Sequence, residues 1–205
     1  MLDRRALDLL RPLLAALARP LVQAGVGANS VTGLGFVLGL AAAFVIAAQA
    51  GQQTPWSGLA LLLLSRLCDG LDGTVARLGT PTDRGAFLDI TLDFVFYASI
   101  PLAFAVAAPA ANALAAAVLL ASFIGTASSF LAFAVMAERR GLKSLAFPQK
   151  GLYYLGGLTG ATETLLCFVA MCLWPQHFAA LAYGFAALCL LTLMTRLWAG
   201  WQALR

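Results

Sequence analysis

The chain has 205 residues, of which 61% are hydrophobic and 11% charged, whereas roughly 45–50% of an average soluble domain is apolar. With a mean hydropathy of +0.88, this composition excludes an ordinary soluble globule and marks an integral membrane protein. The net charge of +4, from 13 Lys and Arg against 9 Asp and Glu, then reads as membrane orientation and attraction to anionic lipid or substrate, with no nucleic-acid partner.

Residues 1–27 do not read as a cleaved signal peptide, because Asp3, Arg4, Arg5, Asp8, Arg11 and Arg19 interrupt any apolar run. Leu2, Leu9, Leu10, Leu13, Leu14 and Leu17 gather mostly on one helical face and the arginines lie towards the other. That pattern suits an amphipathic helix lying on the membrane surface, followed by a short linker. Six windows of about 20 apolar residues follow, near 31–50, 57–78, 85–107, 112–137, 151–173 and 178–199. They are Leu/Ala-rich and continuous, so they predict helices rather than the alternating strands of a barrel. The expected fold is all-α and polytopic: one domain over 1–205, with a six-helix core over 28–205. Pro101 falls inside the third window, where it can kink the helix.

The basic residues orient this arrangement. Arg4, Arg5, Arg11 and Arg19 precede the first window, and Arg66, Arg77 and Arg84 surround the turn between the second and third. Arg139, Arg140, Lys143 and Lys150 occupy the segment between the fourth and fifth, and Arg196 and Arg205 close the chain. The opposite turns, near 51–56, 108–111 and 174–177, have no Lys or Arg. By the positive-inside rule both termini and the basic segments face the cytoplasm.

Within the apolar sequence stand four acids, Asp69, Asp72, Asp89 and Asp93. Carboxylates in a membrane span are costly and default to a functional reading; several together stay charged only if cations neutralise them. Asp69 and Asp72 are three apart, Asp89 and Asp93 four apart, so each pair shares a helix face. Two antiparallel spans joined by a short turn can face these pairs towards each other around a site for hard divalent cations, Mg²⁺ or Mn²⁺. Gly70, Gly73, Ala76 and Gly85 keep the surroundings free of bulk for a ligand, and Arg77 adds a fixed cation suited to phosphate. Arg77 and Arg84 are the cations read as lying near the four acids. Cys68, Cys167, Cys172 and Cys189 form no CxxC pair and read as small core residues. His177, the only histidine, falls in a turn on the opposite side, which argues against a histidine-ligated metal or a Ser-His-Asp triad.

The run Asp69-x-x-Asp72-Gly73-x-x-Ala76-Arg77, seven residues, then Gly85-x-x-x-Asp89-x-x-x-Asp93 resembles, without departure, the signature of the CDP-alcohol phosphotransferase family. Residues beyond the motif are similar to small bacterial members of the phosphatidylglycerophosphate-synthase type. The resemblance implies metal-dependent transfer of a phosphatidyl group from CDP-diacylglycerol to a small polar alcohol, with release of CMP, in phospholipid synthesis. It implies two divalent ions on Asp69, Asp72, Asp89 and Asp93, with Asp93 also the base for the acceptor hydroxyl. Donor contacts are implied for Asp69, Gly73, Ala76, Arg77 and Gly85, and for Asn29 and Thr32. These two match a Pro-Asn-x-x-Thr element whose proline is here Ala28. It further implies a homodimer in the bacterial inner membrane, with the active site facing the cytoplasm.

For the acceptor, Arg139, Lys143, Lys150 and Arg196 could hold a phosphate, which favours glycerol 3-phosphate, with inositol phosphate, serine or a lipid hydroxyl as alternatives. The positive-inside rule alone also accounts for these cations. Glu163, placed half-way into the fifth window among Thr159, Thr162 and Thr164, reads either as a ligand of acceptor hydroxyls or as a hydrogen-bond partner of a neighbouring span. A divalent-cation carrier or a non-catalytic CDP-lipid-binding protein is the competing class. Clustering of the acids near one surface disfavours an ion path, which needs them spread through the bilayer depth.

Overall fold

A computed structural model describes residues 2–49, 54–141 and 158–205. The described residues form seven α-helices and a single 3₁₀ turn, with no strand: α1 (Leu2–Gln23), α2 (Ala28–Ala48), α3 (Trp56–Leu78), α4 (Asp83–Ala107), α5 (Pro109–Arg139), α6 (Ala161–Leu173) and α7 (Phe178–Ala203). The all-α expectation holds. Among the described residues, four segments are long and apolar enough to cross a membrane: Ala28–Ala48, Asp83–Ala107, Pro109–Arg139 and Pro175–Ala203. The second window does form a helix, α3, but Arg66, Asp69, Asp72 and Arg77 load its C-terminal half with charge. Of the fifth window, 151–157 lies outside the described residues, and α6 is 13 residues long.

Local chemistry sets the helix ends around the motif. Gly79 and Pro81 interrupt the chain after α3. Thr82 then caps α4, its Oγ1 accepting the Gly85 N–H at 3.1 Å. Pro109 opens α5 at a position where its missing N–H costs nothing. Helix α4 runs on through the buried Pro101 to Ala107.

The two motif helices are joined by a short turn, yet they do not simply pack face to face. Helix α2 packs against both α3 and α4 and forms the floor between them. Two glycines allow this approach. A Cβ on Gly35 would lie 2.9 Å from Cys68 Cβ and 3.3 Å from Ser65 O, and one on Gly39 would run into the Phe96 ring. The contact is sealed by Ser65 Oγ, which donates to Gly35 O at 2.7 Å. A buried apolar core, including Ile46, Leu62, Phe96, Ile100, Leu119, Phe168, Met171 and Phe178, then joins α2, α3 and α4 to α5, α6 and α7.

Helix α1 docks on α3 through Leu14 and Ala18, which are buried with Leu71, Val75 and Val31. Leu13 and Leu17, assigned to the same apolar face, are exposed, as are Arg11 and Arg19. A Cβ on Gly70 would sit 3.4 Å from both Leu14 methyl carbons, so this glycine lies against α1.

Candidate active site

Three helices contribute to one pocket: Thr32, Gly35 and Phe36 from α2, Arg66, Asp69 and Asp72 from α3, and Asp89, Leu92 and Asp93 from α4. Carboxylate oxygens of Asp69, Asp72 and Asp89 all lie within 4.8 Å of one another. Asp72 is 5% exposed, and its Oδ2 is buried without a hydrogen-bond partner. A buried carboxylate oxygen left without a donor is costly, and a bound cation removes that cost. Three hard oxygen donors at this separation fit Mg²⁺ or Mn²⁺ far better than a soft metal.

Asp93 lines the same pocket outside that trio, and it is ion-paired. Arg66 NH1 donates to Asp93 Oδ1 at 2.6 Å and lies 3.4 Å from Asp69 Oδ1. The guanidinium is sandwiched from other sides as well. Its central carbon sits 3.8 Å from the Phe96 ring centroid and 5.7 Å from that of Tyr97, and NH2 donates to Ser65 Oγ at 3.3 Å. Arg66 was read from sequence only as an orienting charge. It is the cation that pairs with the pocket carboxylates, while Arg77 and Arg84 are exposed on either side of the turn between α3 and α4. The signal was present in the spacing, since Arg66, Asp69 and Asp72 recur every three residues and so share one face of α3.

The remaining donor candidates gather at the same end. A Cβ on Gly85 would lie 2.9 Å from Asn29 Oδ1, so α2 and α4 meet at these two residues. Thr32 lines the pocket and donates from Oγ1 to Ala28 O at 3.0 Å. Gly73 and Ala76 are half-buried one turn further along α3, and Arg77 donates to Thr74 Oγ1 at 2.9 Å.

Among the described residues, no acceptor candidate lines the pocket. Lys143 and Lys150 lie outside the described residues. Arg139 is exposed at the end of α5. Arg196 is 8% exposed between α7 and α5, with NH1 donating to Thr126 O at 3.1 Å. Glu163 stands in the first turn of α6, where its Oε2 accepts the Gly160 N–H at 2.9 Å. This bond caps the helix, because α6 begins at Ala161 and the carboxylate meets its own helix terminus.

Comparison with known proteins agrees with this geometry. Residues 26–198 match the family profile described as CDP-alcohol phosphatidyltransferase. The inner membrane protein YnjF of Escherichia coli is 46% identical over 207 residues, covering 100% of this chain and 98% of that protein. Two crystal structures of the phosphatidylinositol phosphate synthase PgsA1 of Mycobacterium tuberculosis share the fold. One has CDP-DAG bound (TM-score 0.63, 21% identity, 93% of this chain and 94% of that one). The other is in complex with manganese and citrate (TM-score 0.63, 21% identity, 92% and 88%). The profile match covers most of the chain and includes every residue of the pocket, so the protein belongs to the CDP-alcohol phosphatidyltransferase family and is a transferase of phospholipid synthesis.

Proposed function

We propose that this protein transfers a phosphatidyl group from CDP-diacylglycerol to a small polar alcohol, releasing CMP, with glycerol 3-phosphate as the acceptor. The observation that carries the reading is the trio Asp69, Asp72 and Asp89, three carboxylates within 4.8 Å in a cleft between membrane helices. These residues would hold Mg²⁺ or Mn²⁺. The bound ion supplies positive charge that stabilises the diphosphate and the departing CMP.

The chain's own residues do the rest. Asn29, Thr32 and Gly85 form the wall where α2 meets α4, and Gly73 and Ala76 leave a low surface on α3 along which the cytidine can lie. Arg77, exposed at the end of α3, binds donor phosphate. Asp93, held in the pocket, takes the proton of the acceptor hydroxyl. The freed oxygen attacks the lipid-linked phosphorus, a new P–O bond forms, and the bridging P–O bond of the diphosphate breaks with its electron pair leaving on CMP. Acceptor phosphate is attracted by the basic residues that the positive-inside pattern assigns to the cytoplasmic side, Arg139, Lys143, Lys150 and Arg196, through their charge.

The membrane arrangement follows the same reading. The four long apolar helices, together with α3 and α6, make six crossings, and α1 lies at the interface as part of one domain. Both termini and the pocket face the cytoplasm of a bacterial inner membrane, and two copies form a homodimer. The kinship with YnjF and the positive-inside pattern support this placement.

The test is a panel of acceptors offered to the purified protein with CDP-diacylglycerol and Mn²⁺, with lipid products identified by mass spectrometry. Phosphatidylglycerol phosphate as the dominant product is the expected outcome. A dominant product from inositol phosphate or serine would replace the acceptor assignment and leave the reaction class standing.

A further inference from the structure

Thr74 is a buried hydroxyl inside the motif, at a position that the family-like signature leaves unspecified. It is 8% exposed and ties two turns of α3 together. Its Oγ1 donates to Gly70 O at 3.0 Å and accepts from Arg77 NH2 at 2.9 Å. The first bond alone is ordinary, since Thr32 and Thr91 also donate to the carbonyl four residues earlier. The second bond is what sets Thr74 apart. A hydroxyl has one proton, and Gly70 O takes it, so the lone pairs of Oγ1 are left to receive a guanidinium N–H. Arg77 is exposed, yet its side chain folds back along α3, and its NH1 would lie 3.4 Å from a Cβ on Gly73. The carbonyl that Thr74 grips belongs to a residue held in turn, because Gly70 lies against Leu14 of α1.

We propose that Thr74 is a positioning residue that holds the Arg77 guanidinium over Gly73, with NH1 presented to the diphosphate of the CDP-linked donor. This rests on the transferase reading above, in which Arg77 binds donor phosphate. An unrestrained arginine on a surface samples many rotamers and loses that freedom when it binds. One already anchored through NH2 loses less and keeps NH1 for the phosphate. A hydroxyl that served only the helix would act on α3 as a whole. Its loss would then loosen the metal site on the same helix along with the donor site.

The test uses the detergent-solubilised full chain carrying Thr74→Val, which keeps the shape and removes the hydroxyl, or Thr74→Ser, which keeps the hydroxyl. Arg77→Ala is measured alone and combined with Thr74→Val. Calorimetry with CDP in saturating Mn²⁺ reads the donor site, calorimetry with Mn²⁺ alone reads the metal site, and CMP release from CDP-diacylglycerol gives kcat and KM. The expected result for Thr74→Val is a CDP Kd weaker by about three- to tenfold, the range of one hydrogen bond. The donor KM rises with it, while the acceptor KM and the Mn²⁺ Kd stay unchanged. Thr74→Ser recovers the wild-type CDP affinity. In the Arg77→Ala background Thr74→Val costs nothing further, as groups acting through one another are not additive. An unchanged CDP Kd in Thr74→Val, a parallel loss of Mn²⁺ affinity, or the same loss with Arg77 removed would overturn the proposal, as would absence of CDP binding by the wild-type protein. If Thr74→Val fails to fold, Thr74→Ala, which a helix accepts readily, is judged by the same measurements. CDP bound by the wild-type protein without CMP release from CDP-diacylglycerol would instead count against the transferase reading, while the CDP comparison still judges Thr74.

Discussion

Asp72 is the most enclosed of the four carboxylates, with one oxygen buried and lacking a donor, while Asp69 and Asp93 keep about a third of their side-chain surface, at 38% and 31%. That inequality divides the labour: the buried oxygen suits a permanent cation, and the more accessible Asp93 suits a group that must meet an incoming hydroxyl. Asp72→Asn keeps the volume and removes the charge. It is expected to weaken Mn²⁺ binding, by calorimetry, by more than the roughly tenfold that even an outer-shell change costs, with the helical circular dichroism retained. Asp93→Asn is expected to lower CMP release by about a hundredfold or more, the scale of a lost general base. Unaltered turnover in Asp93→Asn would remove it from that role. The acids and their pairing were legible in the sequence because spacing alone places them on helix faces. Arg66 shares that spacing, but its role was not legible, because the positive-inside rule and a site cation call for the same residue type. The partners that distinguish the two roles, Asp93 and Phe96, lie on a different helix.

At the scale of elements, the pocket exists because α2 fits between the motif helices. Gly39 faces Phe96 and Ser65, so a methyl group there must displace an aromatic ring that also supports Arg66. Gly39→Ala is therefore expected to lower stability by about 1–3 kcal/mol, the usual range for overpacking, and to reduce CMP release with it. Gly33→Ala, on the same helix with nothing within 4 Å of the added carbon, is the control and should leave the thermal midpoint in detergent unchanged or raised. Equal effects at the two positions would contradict the packing account. The existence and type of the helices were readable from continuous hydrophobicity. The part played by α2 was not, because an apolar helix rich in small residues looks the same whether it faces lipid or wedges between two neighbours. Glu163 shows the same limit at a helix end: its depth was judged from the length of an apolar window, whereas the start of α6 at Ala161 makes it a capping residue.

For the whole molecule, successive helices bring one set of ends together around the charged residues. Arg140 NH1 reaches Arg205 O at 3.3 Å, joining the ends of α5 and α7. Thr54 Oγ1 donates to Leu173 O at 3.3 Å at the opposite pole, where α3 starts and α6 stops. Arg77 and Arg84 flank the turn between α3 and α4. A positive pole of this kind should lie on the cytoplasmic side. In a variant lacking the four native cysteines, a cysteine at Gln202 is expected to react with a membrane-impermeant maleimide in inverted inner-membrane vesicles and to be protected in right-side-out ones. The reverse pattern would turn the protein over and place the pocket on the wrong face for CDP-linked substrates made in the cytosol.

The central claim is that the aspartate pocket carries out metal-dependent transfer from a CDP-linked lipid. It is tested most directly by CMP release from CDP-diacylglycerol by the purified protein, with Mn²⁺ and glycerol 3-phosphate added or withheld in turn. The account predicts release that needs both the ion and the acceptor, matches the new phospholipid mole for mole, and disappears in Asp72→Asn. Release that continues in chelator, or persists undiminished in Asp72→Asn, would contradict it.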